Sequence, residues 1–388
     1  MAELVLDPQR QEQAKEYAKL KRRLSYTEMA LTGSLLGLLL FSGFSQRLAG
    51  SLALPPVPTA SLCFIILIVT YGILLAPLSY YRGLVLPRRY GLSHQKLNGW
   101  LSDTIKAGVL VVVLGAGIVA AAYWFLSSLP QVWWLLAWGF MVLVSLILTI
   151  LAPVLIVPLF FKVEALPDTE LKERLKRLSE QAKVKVVGIY TIAFSSKGAA
   201  ANAALMGVGK TRRIVLSDTL LKQYSPAEIE VIMAHELGHH HHHDIFRLFV
   251  VQSAILLIEF YITNLILKAA VVPLGFSSIS DVAGLPLLIL IFGVFSLLLT
   301  PLTNSYSRRL EMAADSDALR LTGDPESFIR AMAKVTDQNL AEAQPNRWVE
   351  LLLWDHPSYQ RRLEHACYYI AHKSERRIIG KDYLGKTR

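Results

Sequence analysis

The sequence predicts a mainly α-helical, polytopic integral membrane protein with about six spans and a polar region that carries a small antiparallel β-sheet. Three observations lead there. Hydrophobic residues fill 53% of the 388 positions and charged residues only 18%, a balance that sets the chain apart from ordinary soluble domains. Apolar stretches of membrane-spanning length recur at about 29–45, 62–80, 107–126, 132–161, 248–267 and 286–302. Between the fourth and fifth of these lies one long polar interruption, 162–247.

Each element follows in order. Residues 1–28 read as an amphipathic, charge-rich segment, with no cleavable signal peptide ahead of the first apolar run. The first four spans occupy 29–161. Lys15, Lys19, Lys21, Arg22 and Arg23 precede the first span, and Arg82, Arg88, Arg89, Lys96 and Lys106 lie between the second and third. The connections 47–61 and 127–131 carry only Arg47. The positive-inside rule therefore predicts a cell-membrane protein with both termini and the 162–247 segment on the cytoplasmic side. The net charge of +10 thus matters through its location. Cys63 and Cys367 give no disulfide framework.

Within 162–247, Leu171, Leu175 and Leu178 alternate with charged residues and predict a surface helix. Short strands are expected at 185–192, 199–206 and 213–218. Ser225-Pro226-Ala227-Glu228 is a Ser-x-x-Glu capping box with proline at the first helical position, so a helix begins there. It is expected to run almost without break into the fifth span. Spans five and six lie within 248–303. The remainder, 304–388, is polar and helical, with further helices opened by Asp324-Pro325 and His356-Pro357.

The capped helix carries "AHELGHHHHHDIF", 234–246. The informative part is His235-Glu236-x-x-His239. Two residues four apart share a helix face, about 5–6 Å apart at Cβ, which suits two imidazoles closing on one zinc ion. Glu236 is turned about 100° from His235 and can serve as general base. A zinc hydrolase needs a third ligand. Histidine and isoleucine at 242 and 245 exclude the pattern with glycine and a third histidine. The stretch "SRRLEMAAD", 307–315, offers Glu311 instead, with Asp315 one turn later to accept the free N–H of a ligating imidazole, His235. One helix has one metal-facing stripe, so His240, His241, His242 and His243 are expected to be solvated or near headgroups. Glu259, inside the fifth span, should face a cavity or a partner.

With these motifs the chain resembles the type I CaaX prenyl protease family of membrane zinc endopeptidases, relatives of the heat-shock membrane protease HtpX. "YGLSHQ" (90–95), "LAPVLIVPLF" (151–160), "ANAALMGVGKTRRIVLSDTLL" (201–221) and "HPSYQRRL" (356–363) match segments that the family carries in the same order. The better-known members have seven spans against six here, the difference falling before "YGLSHQ". The resemblance implies a gluzincin-like protease core holding one zinc ion per chain through His235, His239 and Glu311, with Glu236 as general base. It assigns His356 and Arg362 to the oxyanion or the substrate backbone, and Asn202 and Ala203 to a strand edge along which a peptide adds. The implied partners are a polypeptide substrate, prenylated or membrane-associated, and the lipid bilayer, with no nucleic acid. Quality-control proteolysis in the manner of HtpX is the alternative within the enzyme class. A catalytically silent zinc scaffold or metal transporter is the alternative outside it, but a transporter should place ionisable residues in several spans, and Glu259 is nearly alone.

Overall fold

The computed structural model describes residues 6–207 and 209–384. Its main helices and strands are α1 (Pro8–Phe41), α2 (Pro56–Leu74), α3 (Leu97–Ser128), α4 (Trp133–Leu151), β1 (Val163–Ala165), α5 (Glu170–Gln181), β2 (Gly188–Ile192), β3 (Ala203–Met206), β4 (Arg213–Ser217), α6 (Pro226–His241), α7 (Asp244–Ala270), α8 (Leu285–Thr322), α9 (Pro325–Gln338), α10 (Arg347–Leu353) and α11 (Tyr359–Leu384). Six helices are long and apolar enough to cross a membrane. Their outer faces present Leu38, Val113, Leu143 and Leu298, as helices bathed in hydrocarbon do. Inward, Tyr123, Trp133, Phe260 and Ile291 form a shared core. There the indole Nε1 of Trp133 donates to Oδ1 of Asn264 at 2.9 Å.

The amphipathic N-terminal segment is not a separate element. It is the first half of α1, continuous with the first span, and Asp7 caps its start through the amides of Gln9 and Arg10. This half lies along the end of α9 and the loop after it. Gln11 Nε2 donates to Asp337 Oδ1 at 2.7 Å, and Arg22 pairs with Glu342 at 3.2 Å. The sixth span likewise continues past residue 303. α8 runs through Pro301 without interruption and carries Glu311 and Asp315.

The sheet has the order β1-β2-β4-β3 and is mixed, which corrects the antiparallel sheet expected from the sequence. β1 and β3 pair antiparallel with β2 and β4, but β2 and β4 are parallel, with Gly188 opposite Arg213 and Ile192 opposite Ser217. The cause is the order of connections. The chain leaves β2, lays down β3 two positions away and then turns back as β4 into the gap, so β4 runs with β2. Residue alternation marks strands but not their neighbours. β3 is left at the edge and packs against α6. The loop ahead of it is pinned by the "YGLSHQ" segment, where His94 N donates to Lys197 O and Ala199 N to Leu92 O.

A second core joins the sheet to α5, α6 and α9 through Leu175, Ile214, Leu216, Met233 and Phe328. The capping box forms as drawn from the sequence: Ser225 accepts the Glu228 amide, and the Glu228 carboxylate accepts the Ser225 amide at 2.8 Å. α6 and α8 cross closely. A Cβ on Gly238 would lie 3.1 Å from the Ala314 Cα and 3.2 Å from its carbonyl oxygen. Gly238→Val should therefore destabilise the protein by about 1–3 kcal/mol through overpacking. Thermal denaturation measures this, and unchanged stability would show the crossing to be slack.

Candidate active site

Four elements meet at the site. α6 brings His235 and His239, α8 brings Glu311 and Asp315, the turn before α11 brings His356, and α11 brings Arg362. Nε2 of His235 and Nε2 of His239 face each other at 3.1 Å. Glu311 Oε2 lies 3.3 Å from the first, and Glu311 Oε1 lies 3.2 Å from the second. Four ligands at tetrahedral angles around zinc, with bonds of about 2.0–2.1 Å, sit about 3.3 Å from one another. Each of these distances is therefore already that between neighbouring ligands of a tetrahedral set. Glu311 Oε2 is also buried without a hydrogen-bond partner, an arrangement that is costly unless something else pairs with it. His235, His239 and Glu311 together form the one candidate metal cluster of histidine, cysteine and acidic groups among the described residues.

The local electrostatics favour a cation at this point. Burial works against a charged imidazole at His235, yet the adjacent carboxylates of Asp315 and Glu311 outweigh burial and raise it to about 9. Burial likewise opposes charge on His239, and the Glu311 carboxylate, accepting from its ring, again reverses the balance upward. Burial pushes the Glu236 carboxyl up, opposed by His235 and His239. Its charged neighbours also include Glu311 and His356, which places Glu236 in the same cluster.

The outer contacts define roles. His235 Nδ1 lies 2.9 Å from Asp315 Oδ1, so an N–H donated there leaves Nε2 free to bind metal. Arg362 Nε donates to Asp315 Oδ2 at 2.8 Å, its Nη2 donates to Asp315 Oδ1, and the same Nη2 passes 3.3 Å from His235 Nδ1. The guanidinium thus addresses the Nδ1 side of His235 and the carboxylate of Asp315. His356 is half exposed, with Nε2 at 3.4 Å from Glu311 Oε1 and Nδ1 held by Asp355 at 2.8 Å. That hydrogen bond, the largest influence on it, draws the imidazole upward in pKa.

Asn202 is exposed and immediately precedes β3. Its amide donates to Ser217 Oγ and its carbonyl accepts the Ser217 amide, both at 2.9 Å. Ala203 is buried within β3, opposite Leu216. Apolar side chains of Ile156, Phe160 and Phe161 line a pocket with Asn202, with Ala203 and Met206 of the edge strand, and with Ile192 and Val215 of β2 and β4. None of His240 to His243 joins the metal cluster. His242 instead pairs with Asp317 at 3.0 Å.

Two groups of residues escape sequence reasoning. Arg308, one turn before Glu311, is buried and donates to the backbone carbonyls of Glu350, Leu351 and Trp354, clamping the segment that leads to His356. Glu350 supports the same segment by accepting the Ser358 amide at 3.1 Å. Asp244 lies against His239, with Oδ2 at 2.9 Å from Nδ1. An acidic residue shortly after the second histidine was the only signal for it.

Comparison with known proteins agrees with this geometry. Residues 2–162 match the family model of the CAAX prenyl protease N-terminal part, described with five membrane helices, and residues 165–370 match that of peptidase family M48. The chain belongs to peptidase family M48. It is 28% identical over 361 residues to an uncharacterized metalloprotease, YhfN, of Bacillus subtilis, a match covering 91% of this chain and 84% of that one. It is 29% identical over 290 residues to a CAAX prenyl protease 1 homolog of Arabidopsis thaliana, covering 74% and 68%. It is also 29% identical over 336 residues to the CAAX prenyl protease 1 of Saccharomyces cerevisiae, covering 81% and 73%. The crystal structure of S. mikatae Ste24p shares the fold, with a TM-score of 0.81 at 22% identity over 93% of this chain and 89% of that one. The peptidase is thus a membrane-embedded metalloendopeptidase that needs a metal and acts on a peptide or protein. Where the N-terminal family model is described with five membrane helices, four helices of spanning length lie within the described residues up to 162.

Asp315 is fully buried, and Arg362 supplies its compensating charge. Arg362→Ala should destabilise the protein by about 3–5 kcal/mol, with Arg362→Lys losing less. Denaturant titration of both variants measures the difference, and a neutral Arg362→Ala would remove the ion pair from the support of the site.

Proposed function

We propose that this peptidase is a zinc endopeptidase holding one ion per chain through His235, His239 and Glu311, and that it processes prenylated polypeptides of the CaaX type. The observation that carries the zinc reading is the mutual spacing of 3.1–3.3 Å among the two Nε2 atoms and the Glu311 oxygens. The substrate class is supported by the relatives named as CAAX prenyl proteases. Bound zinc supplies Lewis acidity at a scissile carbonyl and lowers the pKa of water toward about 7.

The chain's own residues do the rest. Glu236, its carboxyl pushed up by burial, accepts a proton from the attacking water and returns it to the leaving amine. His356 offers an N–H beside Glu311 to the oxyanion that develops on the carbonyl, held in orientation by Asp355. Arg362 acts through Asp315, fixing the carboxylate that orients His235. The free edge of β3, beginning at Asn202 and Ala203, receives the peptide as an added strand.

The deciding experiment uses purified protein on a farnesylated CaaX peptide and its unprenylated twin. Wild type should cleave the farnesylated peptide faster. Glu236→Gln should lose at least about 10²-fold in rate while keeping its zinc, and Glu311→Ala should lose the zinc itself. Equal rates on the two peptides would turn the substrate assignment toward general membrane-protein quality control. Activity surviving Glu236→Gln would remove the general-base role.

The basic segments flanking the spans support a cytoplasmic position for the catalytic region in the cell membrane. Cys367 is exposed on α11, whereas Cys63 is buried. A membrane-impermeant thiol reagent should therefore label inverted membrane vesicles and spare right-side-out ones. The opposite pattern reverses the orientation.

A further inference from the structure

The histidine run contains a break in the helix. α6 ends at His241, His243 takes up the left-handed conformation with φ 57° and ψ 37°, and α7 starts at Asp244. Left-handed backbone is uncommon outside glycine, and histidine is among the few residues that tolerate it. The break has a geometric result. On an unbroken helix, a residue five positions after His239 would be turned about 140° from it and could not face it. After the left-handed turn, the carboxylate of Asp244 lies against the ring, with Oδ2 at 2.9 Å from His239 Nδ1. The opposite ring nitrogen, Nε2, faces Glu311 and His235.

Asp244 is 2% exposed, and its other oxygen, Oδ1, has no hydrogen-bond partner. Arg247 stands 3.6 Å from that oxygen. The first turn of α7 also favours a carboxylate at this place.

We propose that Asp244 is a positioning residue for the metal site, and that the left-handed turn at His243 is the device that delivers it. Asp244 accepts the Nδ1–H of His239, fixes the tautomer and leaves the Nε2 lone pair for the ion. His235 has the same arrangement with Asp315, so each imidazole carries its own buried carboxylate. Because Asp244 opens α7, it also ties His239 directly to the fifth span. The inference rests on His239 being a zinc ligand.

The test measures zinc affinity of the full chain in detergent by competition with a chromophoric chelator, alongside the unfolding temperature of the metal-free protein. Asp244→Ala should weaken zinc binding about 10–100-fold. Asp244→Asn should retain more affinity, because its side-chain carbonyl still accepts Nδ1–H. His243→Gly should bind as wild type does, since glycine takes the left-handed turn freely. His243→Val should show the loss seen in Asp244→Ala, and combining the two should add little.

Affinity of Asp244→Ala within about twofold of wild type overturns the proposal, being far short of the loss a carboxylate in this position causes. So does a larger loss in Asp244→Asn than in Asp244→Ala. Should Asp244→Ala not fold, equal affinities of His243→Gly and His243→Val overturn it. A loss accompanied, in both Asp244→Ala and His243→Val, by a lower metal-free unfolding temperature does the same. A wild-type chain that binds no zinc removes the zinc reading itself, a result distinct from all of these.

Discussion

Glu311 reaches His235 and His239 because α6 and α8 cross closely at Gly238, which lies over the Ala314 backbone and the Cβ of Asp317. A Cβ on Gly238 would press on Ala314 and Asp317 at 3.1–3.2 Å, and Ala234, Ala314 and Ala318 on these two helices are fully buried. Interiors pack too densely for such a gap to be taken up elsewhere. A wider crossing would lift the Glu311 carboxylate away from the imidazoles and also withdraw Asp315 from His235. One steric condition thus sets both the ligand triangle and its outer support.

Once the helices are this close, the site has a charge problem. Glu236, Asp244, Glu311 and Asp315 cluster around the two imidazoles, and Arg362 is the guanidinium paired among them. Arg247, 3.6 Å from Asp244, adds a second positive charge, so with every carboxylate ionised the cluster carries an excess of two negative charges in a buried setting, which is unfavourable without compensation. The upward displacement of both histidines is the protein's own partial answer. A divalent cation at the Nε2 atoms offsets the excess and lets the imidazoles stay neutral, the form in which they bind metal. Metal and fold should therefore support each other here, with the metal relieving a repulsion that helix packing imposes.

Much of this was legible in the sequence because it depends on local spacing. The six apolar stretches, the capping box at Ser225, the helical pair His235 and His239, and the turn between Glu311 and Asp315 are each fixed by residues within a few positions of one another. The unread parts depend on contacts between distant segments. The parallel pairing of β2 with β4 follows from the path of the chain through β3, which no alternation pattern encodes. The clamp of Arg308 on the carbonyls of α10 joins residues more than forty positions apart, and an arginine in "SRRLE" looks the same whether clamped or solvated. Arg362 could be picked out as a site residue, but its choice of Asp315 as partner could not.

The five consecutive histidines show why composition alone misleads at such a place. They look like a uniform metal-binding tract, yet the backbone divides them. His239 faces the ligand triangle, His242 is held by Asp317 on α8, and His243 leaves the helical region of backbone space altogether. A longer helix would have kept their side chains in one repeating spiral and carried Asp244 away from His239. Ending α6 at His241 instead converts a sequence of identical residues into a member of the candidate metal cluster, a helix-to-helix contact and a turn, and starts the next spanning helix with its first carboxylate turned back toward the site. The chemistry therefore resides less in the number of imidazoles than in where the helix stops.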